Sequence, residues 1–504
     1  MKTKINGKII LLGCGGVGSG TLYYLTDFFD FKPKQVYFID KDPKVVEFPT
    51  TKRLIEKGYT FINYTITRYN FPDLLEKIIR VKAYDIVIDL TTCTETNEIL
   101  MECRSRRILY FNTSIEDDHI LSGKQTCPID STIFLQHYNI QLIAEKTRRI
   151  SDNITTIIEC GMNPGLISIC VKQGILDIAD RVIEKGLAND KLKEYRIRSD
   201  FHNIAKELKI RTIHCSEIDT QIPKKEINHD FINTWSAVGL ITEGIEPAEI
   251  AIGTHERIIP FKNDNVMEPI PQMLVTRIAG EQIKCKSLVP LKINEETNEV
   301  EFTSIVGSVI HHGESQNLSN YLGDFDYAPT THYVYQLNPI TEMMMNYYTT
   351  DELVEISKDP ERWKVLNIYD DGVEGYDNVG AMFALEEDPL NIMEQNATSM
   401  PFYYWTGSIL STEYTKNVLD DQYFTPTVIQ VVVTLLASVC WAIENPHKGL
   451  CYAEDIDHDY IMHYAKKYLN MHSLVAPNNL IDGYTLEKLI INNEKIEYTK
   501  RDDL

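Results

Sequence analysis

Five stretches of the chain carry residues whose types and spacing could do chemistry. The first is Lys8 to Gly20, KIILLGCGGVGSG, in which Gly13, Gly15 and Gly18 stand as G-x-G-x-x-G. An apolar strand, Ile9 to Leu12, precedes the turn, and a helix-like segment, Thr21 to Phe29, follows it. Each glycine has a job in a turn that cradles a dinucleotide. Gly13 allows the tight turn, Gly15 lets the backbone approach a pyrophosphate, and Gly18 lets helix and strand pack closely. The opening helix then aims unpaired N–H groups at the phosphates. A second strand, Gln35 to Ile39, ends in Asp40, where such units place a carboxylate for the adenosine ribose hydroxyls. That carboxylate favours NAD over NADP, although Lys41 follows directly. The plain alternative is a glycine-rich turn with no ligand.

The other four stretches are polar clusters further along. They are Ser216-Glu217-Ile218-Asp219, then Asn233-Thr234-Trp235-Ser236 followed by Glu243, then GSVIHHGE with His311, His312 and Glu314, and finally Asp370-Asp371-Gly372 with Glu374 and Asp377. Acidic runs of this kind are usually solvated faces; only the glutamates beside Trp235 and at the turns stand out as candidates for chemistry. Trp235, one of four tryptophans, could offer a ring face to a cation or pack in a core. H-H-x-E matches no common zinc spacing, so no metal is expected.

These residues need elements to position them. Residues 1–160 alternate strand and helix signals, as a Rossmann-type doubly wound parallel sheet does. Ligands of such sheets sit at the carboxyl ends of the strands. Asp89 at the end of the strand YDIVIDL, Thr91 and Thr92 after it, and Asn112, Thr113, Ser114 and Glu116 after RILYF, are therefore expected to face the same crevice as Gly13, Gly15, Gly16, Val17 and Gly18. Cys160 to Leu166, with Asn163-Pro164-Gly165, marks a fixed turn and the domain change. Residues 161–390 read as a second α+β domain with a mostly antiparallel sheet, on short alternating runs such as Tyr195–Arg198, Lys209–His214, Gln272–Ile278 and Glu299–Ser304. Residues 391–475 read as a helical return onto the first domain, and 476–504 as a loosely held tail.

The chain of 504 residues is long enough for several domains. Its net charge of −23 argues against binding a phosphate backbone and suits a cationic small substrate. The longest apolar run, Val428 to Ile443, is interrupted by Gln430, Thr434 and Ser438 and reads as a core helix rather than a membrane span. No secretory signal is expected. The ten cysteines show no C-x-x-C pair, which fits free thiols in a reducing cytoplasm.

Taken together, GCGGVG, Asn112 to Glu116, Gly161-Met162-Asn163-Pro164-Gly165-Leu166, N-T-W-S with Glu243, I-H-H-G-E, W-A-I-E-N-P and Gly449 to Glu454 resemble the bacterial homospermidine synthases. The resemblance runs in order along nearly the whole chain. The N-P-G-L turn belongs to the wider saccharopine dehydrogenase-like group, whereas N-T-W-S and H-H-G-E are more specific to the polyamine enzymes. The resemblance implies a transferase that keeps NAD bound throughout. One putrescine is oxidised to an imine, a second putrescine displaces ammonia, and the new imine is reduced to sym-homospermidine. It also implies a homodimer. Glu217 and Glu243 would bind ammonium groups and move protons, Trp235 would steady cationic intermediates, and Asn163 would orient the nicotinamide or the reacting amine. Glu116 and His312 would line the entrance or far end, and Asp377 would hold the far ammonium. The rival reading is a saccharopine- or carboxyspermidine-type dehydrogenase, which needs a basic clamp for a carboxylate; Arg257 and Arg277 are the candidates. A third is an NAD-binding scaffold without turnover.

Overall fold

A computed structural model of the chain describes residues 2–92, 94–116, 132–261, 265–269, 271–293, 297, 299–390, 401–491 and 499–501. The glycine turn sits at the centre of a seven-stranded parallel sheet. Its order is Leu450–Cys451, Thr156–Ile157, Leu109–Asn112, Ile86–Asp89, Ile9–Leu12, Val36–Asp40, Thr60–Asn63. Ile9–Leu12 is the strand at which the winding direction reverses, and open α/β sheets bind ligands at that point. Every residue of Ile9–Leu12 is buried, as expected of a strand covered on both faces. Helix Gly16–Phe28 starts five residues earlier than its sequence signal, directly on the glycines.

The second sheet has ten strands and holds the remaining polar clusters. At its centre, Ile210–Asp219 pairs in parallel with Thr330–Gln336 and antiparallel with Tyr376–Leu385. The other pairings in this sheet are antiparallel. The hairpin Lys284–Ile293/Val300–Ser308 joins through Val300–Ser308 to Thr330–Gln336.

Three expectations need correction. Tyr195–Arg198 is not a strand but the end of helix Asp190–Arg198, whose start is capped by the Asn189 side chain accepting from the Leu192 N–H. Residues 391–475 are not simply helical: Phe402–Ser411 and Met471–Ala476 are strands of the large sheet. Phe402–Ser411 is buried on both faces through Leu410, which erases the alternation that would announce it. The stretch from Ile481 to Ile490 is not a loose tail either, because Ile481, Leu486, Leu489 and Ile490 are buried in the core behind that sheet, while residues 492–498 and 502–504 lie outside the described residues.

Helix Pro426–Glu444 connects the two sheets. It is buried almost throughout, capped by Thr425 accepting from the Val428 N–H, and packs on helix Gly16–Phe28. Among the described residues it alone is long and apolar enough to cross a membrane, and here it is core. A Cβ on Gly20 would meet Val428 and Val432 at 3.0 and 3.2 Å, so the small residue permits the close crossing.

Candidate active site

The glycine turn has the geometry its spacing demands. Gly13 lies at φ +83°, and a Cβ there would press on the Leu90 carbonyl at 2.5 Å. A Cβ at Gly18 would overlap the Gly13 carbonyl. At Gly15 a Cβ would meet no heavy atom within 4 Å, so the space beside it is open. Helix Gly16–Phe28 has no side-chain cap and no acidic residue in its first turn, which leaves its N–H groups and dipole for an anion. Gly16 lies against Val365 and Val428, and the Thr21 hydroxyl donates to the Val17 carbonyl. Asp40 is held at its strand end: the Cys14 N–H donates to Oδ2 (2.6 Å) and the Asp42 N–H to Oδ1 (2.8 Å).

The next two strand ends are tied down by side chains. Asp89 accepts from the Tyr110 hydroxyl (2.9 Å) and the Thr91 hydroxyl (2.7 Å), and burial pushes its carboxyl upward. Its carboxylate is engaged within the fold, with Thr91 and Thr92 beyond it half-buried. Asn112 Oδ1 accepts from the Glu159 N–H, and its carbonyl from the Cys160 N–H, joining this strand end to the N-P-G-L turn. Thr113 packs against Gly161, where a Cβ would approach it at 3.1 Å. The Ser114 hydroxyl donates to Glu116 Oε1 (2.7 Å), and the Glu116 N–H to Thr96 Oγ1. Asn163 precedes a cis Pro164, and Gly165, at φ +135°, folds back so tightly that a Cβ would overlap the Gly161 carbonyl.

Asn163 points into the second sheet. Its Nδ2 donates to Glu217 Oε2 (2.7 Å), and the Tyr333 hydroxyl donates to the same oxygen (2.5 Å). Strand register gathers the rest. Tyr335 is the neighbour of Glu217 on one side, and Asp377 is opposite Asp219 on the other. Alternation along each strand then puts Glu217, Asp219, Tyr333, Tyr335 and Asp377 on one face. Asp219 is bound by Gln221, the Thr234 hydroxyl (2.8 Å) and Asn338. Asp377 receives Gln430 Nε2 (3.2 Å) from the long helix, while its Oδ1 has no hydrogen-bond partner among the described residues. Half-buried Trp235 donates its indole N–H to the Tyr335 hydroxyl (3.4 Å). Tyr335 stacks on Tyr333 (centroids 5.3 Å apart), and His312 lies 4.2 Å from Tyr333. His312 Nε2 meets Glu243 Oε2 at 3.4 Å, and Nδ1 lies 3.4 Å from Glu314 Oε1. The structure thus brings Asn163, Glu217, Trp235, Glu243, His312 and Asp377 into one contact network.

The electrostatics are one-sided. Burial pushes Glu217 up to about 7, with the Asp219 charge adding to it and the Tyr333 and Asn163 hydrogen bonds opposing. Burial raises Asp219, and raises Asp377 further because both other charges repel its own. His312 supplies positive charge inside the network: burial pulls its pKa down, but Glu314 and Glu243 outweigh that and carry it up to about 10. Among the described residues buried Glu314 accepts no hydrogen bond and has only the His312 ring beside it as a charge partner. Among the described residues no lysine or arginine pairs with Glu217, Asp219, Asp377, Glu243 or Glu314. The site is built to receive positive charge.

These shifts link to stability. Between pH 4.5 and about 7 native Glu217 holds a proton that the unfolded chain has released, so its contribution falls as pH rises. Glu454, also pushed up to about 7 by burial, acts in the same direction. The raised pKa of His312 contributes stability below about 6.5 that is lost as pH rises through about 10. The ligand-free protein is therefore expected to melt at higher temperature at pH 5.5 than at pH 8. Glu217→Gln should flatten this profile by on the order of 3 kcal/mol at most, read by calorimetry.

Sequence reasoning did not single out Asp219 from its cluster, and it missed Tyr333, Tyr335 and Gln430. The i, i+2 spacing of Glu217 with Asp219 and of Tyr333 with Tyr335 was the available signal.

Two family models match the chain. One is the saccharopine dehydrogenase NADP binding domain, over residues 9–147, and the other is the saccharopine dehydrogenase C-terminal domain, over residues 161–472. The chain belongs to the saccharopine dehydrogenase family. Within reach of that family, a homospermidine synthase of Blastochloris viridis is 27% identical over 464 residues, covering 90% of this chain and 88% of that protein. A homospermidine synthase of Mesorhizobium japonicum is 26% identical over 476 residues, covering 92% and 89%. The crystal structure of the Legionella pneumophila homospermidine synthase in complex with NAD shares the fold, with a TM-score of 0.71 at 24% identity over 98% of this chain and 99% of that one.

Proposed function

We propose that this chain is a homospermidine synthase, transferring an aminobutyl group from one putrescine to another with release of ammonia. The observation that carries the reading is the acid-rich cluster under Trp235, in which Glu217, Asp219 and Asp377 lie buried together and, among the described residues, are paired with no lysine or arginine. Curated relatives of that name aligned over nine-tenths of the chain support it.

The residues fit NAD: open space at Gly15, an uncapped helix N-terminus, and a fixed Asp40 suited to the ribose hydroxyls and opposed to a 2′-phosphate. The glycine turn would hold the pyrophosphate, Asp40 the adenosine ribose, and the loops of Thr91–Thr92 and Thr113–Ser114 the remainder. Bound NAD supplies the two-electron oxidation of one amine carbon and the later reduction that closes the cycle. Glu217, poised near neutrality, takes a proton from the reacting ammonium so that the amine is neutral. Asn163 and Tyr333 hold that carboxylate in place. Asp377 and Asp219 bind the ammonium at the inner end. Trp235 presents its ring to cationic intermediates, and Glu243 with His312 and Glu116 guides the second diamine. We take the enzyme to be a cytoplasmic homodimer; the eight described cysteines, all buried free thiols, support a reducing compartment.

A saccharopine- or carboxyspermidine-type dehydrogenase would need a cation for its carboxylate substrate. Arg257 instead borders a separate surface cavity of about 550 Å³ with His255 and Glu256, and Arg277 is exposed on Gln272–Ala279. Purified protein with NAD⁺ and putrescine is expected to release one ammonia per homospermidine without net NADH. Steady NADH accumulation would make it an amine dehydrogenase instead. Trp235→Ala is expected to lower turnover about 3- to 30-fold, as loss of a cation–π contact of about 0.5–2 kcal/mol implies, with NAD content unchanged. NAD loss in that variant would place the indole elsewhere.

A further inference from the structure

The large sheet has a second polar cluster on the face turned away from Glu217. His214 and His332 are register neighbours on the parallel strands Ile210–Asp219 and Thr330–Gln336, with ring centroids 4.3 Å apart. Strand Lys284–Ile293 lies across them and contributes two more side chains. Cys285 Sγ is 3.5 Å from His332 Nε2, and Ser287 Oγ is 3.0 Å from His214 Nδ1. His214, Cys285 and His332 are each at most 1% exposed, and each offers a donor atom within 4.8 Å of the other two. Their neighbours belong to an apolar core that includes Leu288, Val334 and Met382. Among the described residues no carboxylate or ammonium pairs with either histidine. Nor do His214 Nε2 and His332 Nδ1 have a hydrogen-bond partner among them.

We propose that Cys285, His214 and His332 form a closed site for one thiophilic d10 metal ion, zinc(II) or copper(I). A thiolate with two imidazoles is the donor set that such ions take. Burial keeps both imidazoles neutral, the form in which they ligate. On binding, the Cys285 thiol gives its proton to solvent, and the thiolate charge offsets that of the ion. Copper(I) then leaves the dry core neutral; zinc(II) leaves one positive charge and has Ser287 Oγ at hand as a further oxygen donor. The ion would pin the hairpin strand Lys284–Ile293 onto Ile210–Asp219, whose opposite face carries Glu217 and Asp219. No spacing motif announces such a site, because its ligands come from three strands far apart in sequence.

The test uses the full chain, expressed or refolded with zinc, and in a parallel arm loaded with copper(I) under anaerobic reducing conditions. Elemental analysis is expected to find about one ion per chain in one arm. Cys285→Ser, which is nearly isosteric, should lose that ion with circular dichroism unchanged. Cobalt-loaded protein should show a thiolate-to-cobalt charge-transfer band that Cys285→Ser lacks, so the assignment does not depend on a histidine variant folding. Less than about a tenth of an equivalent in both arms, or full metal content and an unchanged cobalt spectrum in Cys285→Ser, would overturn the site.

Discussion

Glu217→Gln is expected to lower the rate of homospermidine formation by about 10²- to 10⁴-fold, the usual contribution of a positioned acid–base group. The argument rests on environment. The carboxylate is fully buried, shares a face with Asp219, and is pushed up to about 7, where it can both take and return a proton near neutral pH. Glutamine keeps the shape and hydrogen-bonding capacity beside Asn163 and Tyr333 but cannot change charge. A diamine substrate is protonated in this pH range, so one nitrogen must be made neutral before its carbon can be oxidised. Two readouts separate this from general damage. Wild-type kcat/KM should rise through an acid limb near pH 7 that the variant lacks, and NAD content should be the same in both. A variant that retains more than about a tenth of wild-type rate would assign the proton to another group.

Gly15→Val is expected to give a folded protein emptied of NAD. Because a Cβ at Gly15 meets nothing within 4 Å, the branched side chain fits the ligand-free fold and fills the space where a pyrophosphate would approach. Gly18→Ala should behave in the opposite way. Its Cβ would collide with the Gly13 carbonyl, so the loss appears as a lowered melting temperature before any effect on cofactor is read. The pair distinguishes a glycine kept for a ligand from one kept for packing. Equal melting losses in both variants, or undiminished NAD content in Gly15→Val, would contradict this division. NAD retention is measured by the nucleotide released on denaturation.

The glycine turn was legible in the sequence for a geometric reason. Each position demands the absence of a side chain, and neighbouring residues reveal that demand through strand, turn and helix signals. Asp40 was legible for the same reason, since it ends a short buried strand at a fixed distance from the turn. The candidate catalytic residues were legible only as separate clusters. Glu217 meets Tyr335 and Asp219 meets Asp377 through strand register, which depends on the pairing of distant segments and leaves no local trace. Gln430 was hidden in the same manner: within an apolar helix it reads as an interruption, yet it is the donor that reaches Asp377. Strand Phe402–Ser411 escaped because burial on both faces removes the two-residue period, and Leu486 and Leu489 escaped because their partners lie across the hairpin core.

The central claim is that the electrons removed from one diamine return to the product of the same cycle. The most direct measurement is the mass spectrum of homospermidine made from putrescine deuterated at both amine-bearing carbons, with NAD⁺ and an excess of unlabelled NADH in solution. Full retention of deuterium in the triamine is the expected result. A product lacking one deuterium per molecule, with that label found in free NADH, would contradict the closed cycle.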